Sequence, residues 1–334
     1  MPQTILLTGA TGYIATHISQ QLLNAGHTVR ASARSEAKGA ALRDTLERAG
    51  ADISRLSHVT LDLAEDTGWS EAAAGVDAVM HTASPFPLEQ PQNAMEVIGP
   101  AVDGTLRALK AAQAAGVSRV VLTSSVAAIM YRDKPAGALY SSADWTDGDD
   151  TSLTPYIRSK ALAEKAAWDF IAKDAPDLRL TVINPGFVLG PPLGGVDGTS
   201  MTVIARVLKA QDPMQPPVSF PIVDVRDVAA LHVAAFADDS TIGERIIAAN
   251  ETASFADIAR ILQPMSPKRL KTREAPVWLI RALALFDSSI KAVFPDLGKT
   301  RQMDTAPART LLGRDLISAD ISIREAGERV LKTL

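Results

Sequence analysis

The sequence predicts an α/β fold in which a doubly wound parallel sheet is combined with a smaller lobe towards the C-terminus. Short apolar segments alternate with helix-forming segments through the first half of the 334 residues, which is typical of a parallel sheet covered by helices on both faces. A glycine-rich turn follows the first apolar segment, and beyond Pro185 the alternation gives way to loops rich in glycine and proline. The alternation therefore predicts the sheet, and its loss predicts the second lobe.

Six short apolar segments are predicted as strands, at residues 4–8, 27–34, 57–63, 76–83, 118–125 and 178–186. The segments between them have helical composition, and helices are predicted at about 12–25, up to about 50, near 67–75, at about 93–115 and from 155 onward. No internal repeat or low-complexity tract interrupts this order.

The chain beyond Pro185 is predicted to build a smaller lobe that is interleaved with the sheet. Residues 201–211 read as a helix, and the apolar segment 220–236 looks like a return to the sheet. The Gly/Pro-rich segment 190–220 is expected to be a mobile lid, and 277–286 is interpreted as a buried or lid helix. The predicted sheet domain is 1–186 plus about 218–250, and the predicted lobe is about 187–217 plus 251–334.

Composition and charge exclude several classes of function. Cysteine is absent, so disulfides, thiol nucleophiles and cysteine-ligated metals are excluded. A net charge of −4 argues against nucleic acid or an anionic membrane as the main partner. The five histidines never fall at metal-ligand spacing, so no metal site is predicted. The chain opens without the basic region of a signal peptide, and we expect a cytoplasmic location.

The turn after the first predicted strand has the features of a phosphate-binding turn. In "LLTGATGYIA", Gly9 and Gly12 stand between strand and helix, and Ala15 takes the place of a third glycine. Glycines allow the backbone to approach a pyrophosphate, and the helix N-terminus offers N–H groups and a positive dipole. The alternative is a turn with a purely structural role.

The end of the second predicted strand indicates which dinucleotide is bound. NAD-selective folds usually carry an acidic residue there for the ribose hydroxyls, whereas this strand ends in Arg34, with Lys38 one turn into the next helix. Two cations suit a 2′-phosphate, although a solvated surface pair is the alternative. Asp62, which ends the third strand, is a candidate for the adenine edge or a simple turn residue.

Tyr156 and Lys160 lie four residues apart at the start of a predicted helix. Thr154 is a suitable N-cap and Pro155 suits the first helical position. Residues at i and i+4 share one helix face, so the ammonium of Lys160 is expected near the phenol of Tyr156. A nearby cation and the helix dipole would lower the tyrosine pKa and make it a working acid near neutral pH. The alternative is two side chains that merely share a face.

In combination, these motifs resemble the extended short-chain dehydrogenase/reductase family, which has a Rossmann-type fold. Within it, the chain is similar to the branch of dihydroflavonol reductases, cinnamoyl-CoA reductases and NADPH-dependent aldehyde or ketone reductases. The resemblance covers essentially the whole chain, through the segments "TGATGYIA", "VRASAR", "VMHTASPF", "GPAVDGTLRALKAA", "VVLTSSVAA", "YIRSK", "NPGFVLGP" and "VDVRDVAALHVAAF".

The resemblance implies roles for the catalytic residues. Ser125 would hydrogen-bond the substrate carbonyl, with Ser124 as the alternative if the alignment shifts by one. Tyr156 would transfer the proton, and Lys160 would lower the tyrosine pKa and hold the nicotinamide ribose. The asparagine of the proton relay in many relatives has no counterpart, and only Asp103 lies in the relevant helix.

The resemblance also implies NADPH/NADP⁺ as the cofactor and a set of residues that contact it. The implied set is Gly9, Thr11, Gly12, Tyr13, Ile14, Arg34, Lys38, Asp62, Leu63, Ala83, Ser84, Thr123, Tyr156, Lys160, Pro185, Gly186 and Val188. Phe86 and Val126 are expected to contact the substrate.

The implied function is an NADPH-dependent reductase that transfers hydride to an aldehyde or ketone, with a small-molecule carbonyl compound as substrate and a homodimer allowed. One alternative is an NAD-dependent nucleotide-sugar epimerase or dehydratase, which Arg34 disfavours. The other is a non-catalytic NADP-sensing protein, which uses the same fold but often lacks the catalytic tyrosine.

Overall fold

The computed structural model describes residues 1–84, 93–135, 137–195 and 198–334, and it confirms the α/β fold class. The strands are β1 (Thr4–Thr8), β2 (Thr28–Ala33), β3 (Leu56–Thr60), β4 (Ala78–His81), β5 (Arg119–Thr123), β6 (Leu139–Tyr140), β7 (Arg179–Pro185), β8 (Phe187–Leu189), β9 (Ser219–Asp224), β10 (Arg245–Ala248), β11 (Thr252–Ser254) and β12 (Gln302–Met303). The α-helices are α1 (Tyr13–Asn24), α2 (Glu36–Arg48), α3 (Trp69–Ala73), α4 (Met95–Ala114), α5 (Pro155–Lys173), α6 (Thr199–Leu208), α7 (Val225–Ala237), α8 (Phe255–Leu262), α9 (Val277–Leu283), α10 (Ala306–Leu312) and α11 (Ala319–Leu331).

Seven parallel strands form the large sheet, in the order β10-β7-β5-β4-β1-β2-β3. The chain runs outward from β1 to β3, returns to β4, and then runs outward on the other side to β10. The reversal between β1 and β4 is a topological switch point, where a crevice opens beyond the carboxyl ends of the strands. The fold therefore places the glycine-rich turn after β1 beside the end of β4.

The segment 220–236 does not return to the large sheet, and this prediction is wrong. It forms β9 and α7, and β9 pairs in parallel with β8 and antiparallel with β11 in a separate three-stranded sheet. The seventh strand of the large sheet is instead β10, a segment of four residues. Since all four of its residues are buried, β10 shows no alternation of polar and apolar side chains that sequence reasoning could recognise.

Apolar side chains fill the space on both faces of the large sheet and within the lobe. The cluster that contains Ile18 joins α1, α2 and α7 to one face, and the cluster around Trp69 joins α3, α4 and α5 to the other. Helices α6, α8 and α11 enclose a third cluster with Ile204 and Ile323. The boundaries proposed for the two domains stay a prediction.

Helix α9 is not the buried helix that its composition suggested. None of its residues is buried, and Trp278 within it is 69% exposed. Leu285 and Phe286, which follow the helix, are 82% and 90% exposed. The apolar stretch thus lies at the surface, and the lid alternative for it stays a prediction. No helix in the described part of the chain has the length and apolarity needed to span a bilayer.

Three histidines are buried, namely His17 in α1, His81 in β4 and His232 in α7. Nδ1 of His81 is 2.8 Å from the hydroxyl oxygen of Thr8, and Nε2 of His232 is 2.7 Å from that of Thr123. Burial lowers the pKa of His81 to about 3, and it lowers the pKa values of His17 and His232 to about 4. The three rings are therefore neutral in the folded protein at neutral pH.

Replacement of Gly186 by alanine should destabilise the fold, because a Cβ atom there would lie 2.3 Å from the carbonyl oxygen of Pro221 in β9. We expect a loss of more than ~2 kcal/mol in the free energy of unfolding. Gly99→Ala is the matched control, since beyond its two chain neighbours its Cβ would meet nothing within 4 Å, and we expect a change of less than ~1 kcal/mol because Pro100 follows it. Urea unfolding measures both, and equal stability of the two variants would contradict this packing.

Acid should destabilise the protein well before its carboxylates are protonated. The unfolded chain takes up protons on histidine near the ordinary pKa of 6.5, whereas the buried rings resist protonation to about 3 or 4. The contribution of these rings to the free energy of unfolding is thus fully present above pH 6.5. It falls as the pH drops towards 4, by up to about 1.4 kcal/mol per pH unit for each ring. Urea unfolding at several pH values checks this, and His81→Gln should reduce the slope. A constant free energy of unfolding across this window would refute it.

Candidate active site

A cleft of about 440 Å³ opens at the switch point between β1 and β4. Its walls come from the turn after β1, the ends of β2 and β4, and the segment that follows β3. Eight of the predicted cofactor residues line it, namely Gly9, Thr11, Gly12, Arg34, Asp62, Leu63, Ala83 and Ser84. The structure therefore brings together, in one crevice, residues that come from four separate segments of the sequence.

The turn after β1 has the geometry that a pyrophosphate requires. Gly9 has a φ of +66°, and a Cβ atom on it would lie 2.8 Å from the Cα of Ala83. Gly12 is the N-cap of α1 and its N–H donates to the carbonyl of Gly9 over 2.9 Å. Only glycine allows this close turn, and the first N–H groups of α1 point towards the cleft as anion donors. The residues present thus fit a dinucleotide.

The cations at the end of β2 differ in position. Arg34 is exposed, lines the cleft, and has no hydrogen bond or ion pair with any described residue. Lys38 is also exposed but does not line the cleft. Glu36, the nearby carboxylate, is bound to His58 over 2.8 Å. The end of β2 therefore presents to the cleft a guanidinium without a described partner, whereas Glu36 does not line the cleft.

Asp62 takes part in the local turn, since its Oδ1 accepts a hydrogen bond from the N–H of Ala64 over 2.9 Å. It is exposed at the wall of the cleft. The turn interpretation and the cofactor interpretation of Asp62 are thus compatible, because the carboxylate has a second oxygen.

The catalytic candidates lie beyond the Ser84 end of the cleft. Thr154 caps α5 by accepting from the N–H of Ile157, as the sequence predicted. Tyr156 is hydrogen-bonded to Ser125. Nζ of Lys160 donates to the hydroxyl of Ser84 over 3.0 Å and lies 5.9 Å from the centre of the Tyr156 ring. The predicted trio therefore forms one cluster that touches the cleft through Ser84.

The pKa of Tyr156 is raised, so the predicted lowering by Lys160 is wrong. Burial raises the pKa of the phenol, and the hydrogen bond from Ser125 lowers it by less. Burial likewise lowers the pKa of Lys160 to about 8, against the opposing effect of Glu164. Burial has the largest effect on the pKa of the phenol. The ammonium of Lys160 lies over the ring and is bonded to Ser84, and its charge does not reverse that effect.

Ser124 and Ser125, which the sequence could not separate, have different partners. Ser124 is buried, and its hydroxyl donates to the carboxylate of Glu164 over 2.5 Å. Ser125 is the serine bonded to Tyr156. The geometry therefore favours Ser125 as the hydroxyl that meets a substrate. Asp103, which lies in the helix expected to carry the relay group, is exposed and lines a different groove together with Asp66.

Several predicted residues are engaged elsewhere. The Tyr13 hydroxyl donates to the carbonyl of Gly190 over 2.7 Å, and the Thr123 hydroxyl is bonded to His232. The remainder do not line the cleft: Ile14, Val126 and Val188 pack in apolar clusters, while Pro185 and Gly186 join β7 to β8. Phe86 lies outside the described residues. The roles assigned to these residues stay predictions.

Sequence reasoning missed a buried polar group behind the cluster, formed by Glu164, Asn184 and Arg245. Glu164 stands four residues after Lys160 on the same helix face, which was a usable signal. Asn184 follows two apolar residues near the end of β7, which was a weaker signal. Arg245 offered no signal in the sequence, because the strand that carries it was not predicted.

Among the described residues, no group of three or more acidic or histidine side chains could hold a metal ion.

Comparison with known proteins agrees with this geometry. Residues 5–248 match the model of the NAD dependent epimerase/dehydratase family. A putative NADPH-dependent methylglyoxal reductase of Candida albicans is 32% identical over 284 residues, which cover 79% of this chain and 83% of that one. A cinnamoyl-CoA reductase of Medicago truncatula is 34% identical over 268 residues, covering 79% and 81%.

Solved structures include close matches to this fold over the whole chain. The Candida albicans Gre2 structure in complex with NADPH superposes with a TM-score of 0.80 at 28% identity, and the match covers 99% of each chain. The family model spans most of the chain, and the named relatives belong to the branch that the motifs resemble. The chain therefore belongs to the NAD dependent epimerase/dehydratase family, as one of the extended short-chain dehydrogenases/reductases.

Proposed function

We propose that this protein is an NADPH-dependent reductase of aldehyde or ketone carbonyls. The observation that carries the proposal is the cluster of Ser125, Tyr156 and Lys160, in which the two hydroxyls are hydrogen-bonded and the ammonium reaches Ser84 at the cleft. The Candida albicans and Medicago truncatula relatives are both named as reductases, which supports the same reaction class.

The cleft supports NADPH/NADP⁺ as the cofactor. The glycine turn would hold the pyrophosphate, Arg34 would bind the 2′-phosphate, and Lys160 with Ser84 would meet the nicotinamide end. When bound, NADPH supplies a hydride for a carbonyl carbon. A guanidinium with no protein partner is suited to a phosphate, since charge-assisted hydrogen bonds to it gain more than those to a neutral ribose.

The protein's own residues would act on the carbonyl oxygen. The raised pKa of Tyr156 keeps its phenol protonated at neutral pH, so it can give a proton to that oxygen. Ser125 would donate a hydrogen bond to the same oxygen and polarise the carbonyl. The ammonium of Lys160 would stabilise the phenolate that remains after the transfer. A protonated phenol is the form that carbonyl reduction needs, whereas oxidation of an alcohol would start from the phenolate.

Both alternative functions are less well supported. A nucleotide-sugar epimerase or dehydratase typically retains NAD⁺, whose ribose hydroxyls call for a carboxylate where the cleft has Arg34, and Glu36 does not line the cleft. A purified protein that releases its cofactor on dilution would argue further against it. A sensing protein needs no proton donor, whereas Tyr156 here is hydrogen-bonded to Ser125 and lies beside Lys160.

The substrate is a small-molecule carbonyl compound, and Val126 next to Ser125, which packs in an apolar cluster with Ile129 and Met130, suits an alkyl or aryl group rather than a polyanion. The roles of Phe86 and Val126 in holding it, a homodimer and a cytoplasmic location stay predictions. Oxidation of NADPH with a panel of aldehydes, diketones, β-keto esters and aryl ketones identifies the class. An enzyme that reduces none of them would overturn the proposed function.

Tyr156→Phe should abolish turnover while NADPH affinity remains nearly unchanged, because the variant lacks the proton donor but keeps the cleft. We expect kcat to fall at least ~10²-fold. Tyr140→Phe is the matched control, since that hydroxyl donates to the carbonyl of Arg132 over 2.7 Å in a different part of the chain. A Tyr156→Phe enzyme with near wild-type kcat would exclude the mechanism.

Arg34→Ala should remove most of a preference for NADPH over NADH. The guanidinium can account for roughly ten- to hundred-fold selectivity in kcat/KM, and NADH has no phosphate to lose. Lys38→Ala is the matched control and should change the ratio less, because Lys38 does not line the cleft. Both cofactors are compared by steady-state kinetics. An undiminished preference in Arg34→Ala would mean that the phosphate is bound elsewhere.

A further inference from the structure

Glu164 is a carboxylate with 1% exposure, buried one helical turn after Lys160. One of its oxygens accepts from the hydroxyl of Ser124 over 2.5 Å and from Nδ2 of Asn184 over 2.7 Å. The other accepts from Nε of Arg245 over 2.5 Å and, at 3.4 Å, from the indole of Trp168. Both oxygens are thus satisfied, and the buried group is held in one orientation.

The same hydrogen bonds reach the serine that meets Tyr156. Nδ2 of Asn184 donates to the carbonyl of Ser125 over 3.1 Å as well as to Glu164. The N–H of Ser124 donates to the carbonyl of Ile183 over 2.8 Å. The chain at the end of β5 is therefore held to β7 at two consecutive residues, and Ser125 is bonded to Tyr156 of α5.

The charge of Glu164 also acts on Lys160. Besides Glu164, the described groups that face the ammonium are Tyr156 on the same helix, Ser84 after β4, and His81 in β4. Tyr156 and His81 are neutral near pH 7, because burial raises the pKa of the first and lowers that of the second to about 3. Glu164 raises the pKa of Lys160, which burial alone would place below about 8.

We propose that Glu164 is a positioning residue of the active site, which holds Ser124 directly and Ser125 through Asn184 against α5, and whose negative charge keeps Lys160 in the ammonium form. Arg245 limits this effect, since it neutralises part of the same charge. The catalytic part of the statement rests on the proposed function, whereas the effect of Glu164 on the protonation of Lys160 does not.

Stability measurements cannot test this, because a buried ion pair is often replaceable without loss of stability. The charge on Lys160 is the informative quantity. It is measured by NMR titration of protein labelled with ¹³C at the lysine Cε, in which the Lys160 signal is the one missing from Lys160→Met. The variants are Glu164→Gln, Arg245→Met and the two together. Trp168→Phe is the matched control, since it removes one hydrogen bond to Glu164 and no charge.

In Glu164→Gln, the pKa of Lys160 should fall by roughly one unit or more, and in Arg245→Met it should rise. The pKa of Lys160 should be lower in the double variant than in Arg245→Met, and in Trp168→Phe it should equal that of the wild type. If Glu164→Gln does not fold because Arg245 is left unpaired, the comparison of the double variant with Arg245→Met still isolates the charge of Glu164. An unchanged Lys160 pKa across the variants would overturn the proposal.

The activity arm tests the link to catalysis. The alkaline limb of kcat/KM for carbonyl reduction should move to lower pH in Glu164→Gln by the same shift that NMR records, whereas loss of structure alone would lower kcat without moving the limb. If the alkaline limb of kcat/KM stays at the same pH while the Lys160 pKa measured by NMR falls, the proposed effect of Glu164 on catalysis is refuted. A wild-type protein that reduces no carbonyl compound would refute the proposed function, and the titration would still decide the role of Glu164.

Discussion

Glu164 and Arg245 form a buried ion pair that joins α5 to β10, and through Ser124 and Asn184 to the ends of β5 and β7. Arg245 also donates to the carbonyls of Ser142 and Asp144 and stacks 3.7 Å from the centre of the Trp145 ring. Two charges in the interior cost free energy that such an arrangement only partly recovers. We infer that they contribute one defined position of α5 relative to the end of β5, where Ser125 follows the strand.

The electrostatics of the candidate site follow from how little water surrounds it. Burial raises the pKa of Tyr156 and lowers that of Lys160 to about 8, so each group moves towards its neutral form. A neutral tyrosine is the proton donor that reduction needs, while a neutral lysine would be useless beside a phenolate. Glu164 opposes burial at the lysine and leaves the tyrosine untouched. The site thus keeps the donor protonated and the cation charged by two separate means.

The sequence predicted the parts of the site that depend on local structure. The turn at Gly9 and Gly12 and the cap at Thr154 are set by neighbours in the chain, and both lie where they were expected. The seventh strand and Arg245 depend on pairing with β7, which no local pattern encodes. The pKa of Tyr156 was mispredicted for a related reason, because the sequence reveals a neighbouring cation but not the amount of water that folding removes.

Burial also bears on how a substrate could enter. The segment 190–220 resembles a lid in composition, yet α6 within it is anchored, since Met201 and Ile204 are buried in the lobe's apolar cluster. The lobe itself is tied to the start of α7, where Asp224 accepts from Ser322 over 2.8 Å and Asp227 from Arg314 over 2.7 Å. Movement of α6 would expose a core, and movement of residues 190–194 before it would break the hydrogen bonds of Tyr13, His17 and Arg329 to the carbonyls of Gly190, Pro191 and Gly194. The described contacts therefore anchor both α6 and residues 190–194, and the lid expected from the composition of 190–220 stays a prediction.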